Sequence, residues 1–290
     1  MEPVIDLVDI TKTYRSKGKE VLALKDVTLP VEKGSFTTII GPSGCGKSTL
    51  LKIIAGISFP YEGHLRYKGR AITSVNTDVG FITQDSNLFP WLTLIENVEL
   101  SLKIRGVPKE ERQRMAKTFI DMMQLTGFDR HYPFELSGGM QKRCSIIRTL
   151  IYDPDIILMD EPFGPLDAQT RMLLQDELLR IWDKNQKTIL FVTHDLTEAI
   201  TLSDKVVLFT QRPGRVKRVF DIPLTRPRNV FEIHNQKGFT ETYHEIWQYF
   251  KTEIKVRGEE VGNRSPRSEG MLSENTQHRG RSAPNGKSRS

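Results

Sequence analysis

Gly41-Pro-Ser-Gly-Cys-Gly-Lys-Ser48 stands between the apolar run Phe36-Thr-Thr-Ile-Ile40 and the helical run Thr49 to Ala55. Three glycines in eight residues let the backbone curl until successive N–H groups face one point, and the helix that follows brings its positive end to the same place. Strand, glycine-rich loop and helix in that order make a P-loop, a cradle for nucleotide phosphates. Gly41, Pro42, Ser43, Gly44, Cys45, Gly46 and Thr49 form its wall. Lys47 is placed to reach the β- and γ-phosphates, and the Ser48 hydroxyl to ligate Mg²⁺. A chance glycine turn has no such flanks, so the stretch reads as an MgATP site. The Cys45 thiol lies at the helix N-terminus, where the backbone field is expected to favour thiolate and bound ATP to shield it from alkylation.

Outward from the loop, Ile156-Ile-Leu-Met159, Thr188-Ile-Leu-Phe-Val192 and Val206-Val-Leu-Phe209 are short β-rich runs bounded by glycine, proline or charge. They alternate with helical patterns, as in α/β proteins with a largely parallel sheet. From Leu88 to Leu150 the pattern is helical, with long polar faces such as Lys109 to Gln124, which predicts a helical insertion. Phe239, Tyr243, Ile246, Trp247, Phe250 and Ile254 recur at three- and four-residue spacing and predict a last helix docked on the body.

The run Ile156 to Met159 ends in Asp160-Glu161. A strand carries these carboxylates to the edge where the P-loop lies, so Asp160 can hold the Mg²⁺ shell through water and Glu161 can orient or deprotonate an attacking water. An Asp-Glu pair at a strand end is commonly just a turn; the upstream P-loop makes it the candidate catalytic pair. His194 follows Phe191-Val-Thr in the same way and is assigned to the γ-phosphate. Gln84 follows the run Val79 to Thr83, and its amide could reach Mg²⁺ or the attacking water.

The chain has 290 residues, 38% of them hydrophobic, enough for one large domain with a small appendage. It contains no uninterrupted apolar stretch of roughly 18 residues and no signal-peptide pattern, and its two cysteines are far apart, so a cytosolic, reduced protein is expected. Beyond Val256 seven bases face four acids, half of the net charge of +6. That stretch is rich in Ser, Gly, Asn and Pro, and residues 257–290 are expected to stay disordered. The bases form no cluster on one element, and a nucleic-acid partner is not expected.

Leu136-Ser-Gly-Gly-Met-Gln141 lies inside the helical insertion, shortly before Asp160-Glu161. With it the chain resembles an ATP-binding cassette (ABC) transporter ATPase from Asp9 to about Phe220. Tyr14, the P-loop, Gln84, Ser137 to Gln141, Asp160-Glu161, Asp167 and His194 follow in family order. The resemblance implies a P-loop NTPase core, a RecA-like parallel sheet with an antiparallel β subdomain, in residues 1–87 and 151–222. It also implies an inserted α-helical signature subdomain in residues 88–150 and a C-terminal extension in 223–256. Tyr14 matches the aromatic that stacks on adenine, although it could equally be packing. Ser137, Gly138, Gly139 and Gln141 match the signature that meets the ATP of a second subunit packed head to tail, and Asp167 matches the acid of the loop linking the two sites.

Leu88-Phe-Pro-Trp91, Glu161-Pro-Phe-Gly-Pro-Leu-Asp167, and Arg212-Pro-Gly-Arg215 leading to Pro223-Leu-Thr-Arg-Pro-Arg228 resemble the ATPase subunits of bacterial nitrate, sulfonate and taurine importers. Pro165 replaces a small residue there and is expected to stiffen the loop. The resemblance implies a homodimeric motor on the cytoplasmic face of the membrane, transmembrane permease subunits docked on the segment after Gln84, and a periplasmic or lipid-anchored substrate-binding protein. Leu88 to Trp91 could alternatively be core of the insertion. A cassette acting on DNA or ribosomes would need a coiled-coil insertion or second cassette, and a switch GTPase an Asn-Lys-x-Asp run. The motor of an exporter or lipid transporter remains the alternative.

Overall fold

The computed structural model describes residues 3–16, 18–164 and 166–262, the side chains of 185 and 255–262 excepted. Pro165 and residues 263–290 therefore lie outside the described residues, and with them the expected stiffening by Pro165 and most of the expected disordered tail.

Two sheets build the body. Strands β1 (Ile5–Ser16) and β2 (Lys19–Val31) form a long hairpin, joined by β4 (Glu62–Tyr67) and β5 (Arg70–Ala71) in an antiparallel sheet of order β2-β1-β4-β5. The second sheet contains β3 (Phe36–Ile40), β6 (Val79–Ile82), β7 (Ile156–Asp160), β8 (Thr188–Val192), β9 (Lys205–Phe209) and β10 (Val216–Asp221), in the order β10-β9-β3-β8-β7-β6. Its first five strands in chain order run parallel, and only β10 is antiparallel. Non-consecutive neighbours require crossovers, so α1 (Lys47–Ile54), α5 (Ala168–Asn185) and α6 (Leu196–Leu202) connect strands through helices.

The sheet is buried on both faces, which is why its strands read as continuous apolar runs. Ile157 and Met159 of β7 and Ile189 and Phe191 of β8 face a core shared with the helical insertion. Their neighbours Ile156, Leu158, Leu190 and Val192 face a second core, closed by α1 and the antiparallel sheet. The insertion consists of α2 (Leu94–Ile104), α3 (Lys109–Met122), a 3₁₀ turn Pro133–Glu135 and α4 (Gly138–Leu150). Thr93 and Glu96 form a capping box that starts α2.

The last helix, α7 (Phe239–Gly262), continues past Val256, where the sequence places the start of the tail. Phe239, Ile246 and Phe250 are buried in a third core with α6 and β9, whereas Trp247 and Ile254 stay exposed. Among the described residues no helix is long and apolar enough to cross a membrane.

Candidate functional site

Parallel strands deliver their C-terminal ends to one edge, and loops there gather around a crevice. β3 runs into the P-loop, where Gly46 caps α1 at φ 105°, a left-handed conformation open to glycine. A Cβ on Gly46 would stand 2.7 Å from Leu24 Cδ2 and 2.8 Å from the Ala23 carbonyl oxygen, so no side chain fits between loop and β2. Lys47 is 5% exposed and turns back over the loop, donating to the carbonyls of Gly41 at 2.7 Å and Pro42 at 3.0 Å. The loop thus holds an ammonium ion at its own mouth.

Ser48 Oγ donates to Asp160 Oδ1 at 2.9 Å. Burial pushes the Asp160 carboxyl above its ordinary value, and the Ser48 hydroxyl works against that rise. Among the described residues no group of three His, Cys, Asp or Glu could hold a metal ion. One hydroxyl and one carboxylate are hard oxygen donors, and they fit Mg²⁺, which takes most of its shell from water and phosphate oxygens.

Glu161 adopts φ 44°, left-handed for a residue with a Cβ, and its N–H is tied to the Val192 carbonyl at 2.9 Å. Such a conformation costs about 1–3 kcal/mol and persists where surroundings enforce it. The bend turns the carboxylate towards the cleft, with Oε2 3.2 Å from His194 Nδ1. Behind His194, Glu198 accepts from Thr193 Oγ1 at 2.6 Å and from Gln175 Nε2 at 3.1 Å, and Asp195 caps α6. Burial pushes the Glu198 carboxyl up. The turn bearing His194 is therefore anchored on three sides.

Ser43, Gly44, Gly46, Lys47, Ser48 and Thr49 line a cleft of ≈ 460 Å³. Tyr14, Gln84 and Glu161 complete its rim, and the Tyr14 hydroxyl donates to Thr49 Oγ1 at 3.4 Å. Pro42 faces the adjoining groove. Cys45 is turned into the core, 1% exposed, and burial pushes its thiol up, so the expected thiolate is not favoured. The dipole of α1 is overridden by desolvation.

The signature residues stand apart from this cleft. Ser137 caps α4 by accepting from Met140 N at 3.3 Å, and a Cβ on Gly138 would meet nothing within 4 Å. Gly139 faces only Leu166. The Gln141 amide donates to Pro133 at 2.8 Å and Leu136 at 3.2 Å, which fixes the turn. Asp167 caps α5, and the Thr170 N–H holds its carboxyl below the usual range.

Three basic residues escape the sequence reading. Lys142 is fully buried, yet its ammonium donates to the carbonyls of Thr83 at 2.5 Å and Gln84 at 2.9 Å. Arg148, two turns on, holds Asn87 and Ser86. Arg228 donates to Ile200, Thr201 and Ser203 and so caps the C-terminus of α6 behind His194; burial pushes it down to about 10. Lysine and arginine in an amphipathic pattern read as solvated, and only the fold shows them facing inward.

The profile of the ABC transporter family matches residues 24–164. An uncharacterized ABC transporter ATP-binding protein of Methanocaldococcus jannaschii is 46% identical over 254 residues, covering 88% of this chain and 94% of that protein. The chain belongs to the ABC transporter family. It is an ABC-type ATPase, and the sequence resemblance holds. An aliphatic sulfonates import ATP-binding protein of Bacillus cereus is 40% identical over 85% of this chain and 96% of its own length. A nitrate import ATP-binding protein of Synechocystis is 38% identical over 83% and 93%. Among solved structures, an ATP-binding cassette dimer in a post-hydrolysis state with ADP and Pi superposes with a TM-score of 0.69 at 35% identity, covering 75% of this chain and 98% of that one.

Proposed function

We propose that this ABC ATPase is the motor subunit of an importer for a small solute of the nitrate, sulfonate or taurine kind, working on the cytoplasmic face of the membrane. The observation that carries the reading is the convergence of Lys47, Ser48, Asp160, Glu161 and His194 on one sheet edge. The names of the sulfonate and nitrate import relatives support the substrate class.

Lys47 and the P-loop N–H groups bind the phosphate tail, and Tyr14 stacks on the adenine. Ser48 and Asp160, with Gln84 close by, would hold Mg²⁺, which neutralises charge on the β- and γ-phosphate oxygens. Glu161 orients the attacking water and takes its proton, and His194 donates to the γ-phosphate. None of the signature residues Ser137 to Gln141 lines the chain's own cleft, and there is open space at Gly138, which supports a second copy packed head to tail. Ser137 and Gly139 would then close the ATP of that copy, with Asp167 between the sites. The solved cassette with ADP and Pi, itself dimeric, is a precedent for two copies packing together.

Closure on ATP and reopening after hydrolysis would drive permease subunits docked beyond Gln84, with a substrate-binding protein delivering solute outside. Vesicles holding the chain with its permease and binding protein should take up labelled nitrate or an alkanesulfonate only when ATP is present on the side that carries the ATPase. Solute movement in the opposite direction under those conditions, or uptake without ATP, would overturn the reading.

A further inference from the structure

Gln84, Asp160-Glu161, the P-loop and His194 occupy the ends of β6, β7, β3 and β8; the fifth parallel strand, β9, also ends at this edge. There the loop Thr210 to Arg215 carries Arg212 into the same cleft as Lys47 and Ser48. One guanidinium nitrogen lies 3.7 Å from where a Cβ on Gly44 would stand. Arg212 is exposed and has no hydrogen bond or ion pair among the described residues. Its neighbours are committed: Arg215 pairs with Asp26 at 3.5 Å, and Glu20, across the adjoining groove, pairs with Arg15 at 2.7 Å.

The loop is held tightly. Thr210 Oγ1 donates to the Gln211 carbonyl at 2.9 Å and accepts from Arg215 N at 3.1 Å. Gly214 exchanges backbone bonds with Ala23 and Lys25, and a Cβ on it would lie 2.0 Å from the Cys45 carbonyl oxygen, so the loop rests on the P-loop backbone itself. From the far side comes Glu253 of α7, a carboxylate only 9% exposed. It accepts from Gln211 N at 2.9 Å and from Lys217 Nζ at 2.5 Å, while the Gln211 side-chain amide donates to the Glu253 carbonyl. A buried carboxylate needs such partners, and here they are the residue beside Arg212 and the strand after it.

We propose that Arg212 is a second cationic ligand of the nucleotide's phosphate tail, and that Glu253 is the positioning residue through which α7 holds the Arg212 loop. The inference rests on the chain binding ATP at its P-loop. Guanidinium binds phosphate oxygens through a rigid fork of donors, and an unpaired arginine beside Gly44 is placed over the part of the loop whose N–H groups meet phosphate, in the cleft that Tyr14 also lines. The C-terminal helix thereby gains a line to nucleotide affinity without touching the nucleotide.

Displacement of a fluorescent ATP analogue from the full chain by ATP, ADP and AMP tests this. Arg212→Ala should weaken ATP and ADP roughly tenfold or more, as loss of a charge-assisted contact does, while AMP and the melting temperature hold. Arg212→Lys should recover part of the loss. Glu253→Ala should show the same order of effects with smaller size, and combining it with Arg212→Ala should add nothing further. Unchanged ATP affinity in Arg212→Ala, an equal loss for ATP and AMP, or an effect confined to self-association would overturn the phosphate assignment. Additive losses in the double variant would overturn the role of Glu253. Lys47→Ala separates the two readings: if it abolishes ATP binding while Arg212→Ala changes nothing, the P-loop site stands and only the Arg212 inference falls.

Discussion

Lys142 Nζ donates to the Gln84 carbonyl at 2.9 Å, so the helix that opens at Ser137 and the loop that carries Gln84 are tied by one buried ammonium ion. In the proposed function that helix carries the signature, and Gln84 lines the cleft with Lys47 and Ser48. Lys142→Met keeps the stem and deletes three donors, leaving the Thr83 and Gln84 carbonyls without a partner. ATP affinity should hold within about threefold while turnover falls about tenfold, the scale of one or two lost charge-assisted bonds. Steady-state ATPase kinetics beside nucleotide titration checks this; equal turnover would show that the tie does not position Gln84.

The same residue sets a pH dependence. Burial pushes the Lys142 ammonium down to about 8, against the opposing pull of Asp85 and Asp160. The unfolded chain keeps that proton until about 10.4. Between about 8 and 10.4 the unfolded state therefore binds more protons, and the lysine's contribution to stability rises with pH. Relative to Lys142→Met, the parent should gain on the order of 1 kcal/mol between about pH 7.5 and 9.5 in urea unfolding. A flat difference would contradict the buried charge.

Glu161→Gln preserves shape and the approach to His194 but lacks the basicity to take a proton from water. Turnover should fall by at least about 100-fold with ATP binding intact, as expected for a lost general base. With ATP the variant should accumulate as a closed dimer, read by light scattering. Hydrolysis near the parent rate would move the base elsewhere.

Cys45 should resist alkylation at neutral pH whether or not ATP is present, because burial leaves its thiol 1% exposed and protonated. Mass spectrometry after iodoacetamide measures it. Rapid ATP-sensitive labelling would mean that the P-loop opens in solution.

The parallel sheet and its edge were legible because buried strands read as apolar runs and each ends in a chemically marked residue. The β1–β2 hairpin was not legible from periodicity. Ile5, Leu7, Ile10 and Lys12 all face inward, but register shifts after Leu7 and after Ile10, with Asp9 at φ 52°, flip the alternation midway. Lys12 adds a charge on the buried side, held by the Pro60 carbonyl at 2.6 Å. Spacing also placed Trp247 and Ile254 with the docked face of α7, whereas both stay exposed beside the buried Phe239, Ile246 and Phe250. The inward turns of Lys142, Arg148 and Arg228 depend on carbonyls far away in sequence, which no local pattern encodes.

Trp91 distinguishes docking surface from core in the segment after Gln84. Its ring is 69% exposed and Phe89, 5.5 Å away between ring centres, is 38% exposed, so the core reading fails for Trp91. The pair is supported from below: Asn97, fully buried, accepts from Phe89 N at 2.8 Å and donates to the Phe89, Leu92 and Thr93 carbonyls, while Arg148 stands over the Phe89 ring at 5.8 Å. A large aromatic on a rigid backbone, left in water, is the composition of an interface anchor. Trp91→Asp should therefore leave ATP binding and melting within experimental error, since surface changes seldom exceed about 0.5 kcal/mol. In a complex with the proposed permease subunit it should abolish co-purification, because a carboxylate would lose its water at the contact. A melting loss of the size expected for an emptied core, about 3–5 kcal/mol, would return Trp91 to the interior. Normal assembly by a stable Trp91→Asp chain would place the permease contact on another surface.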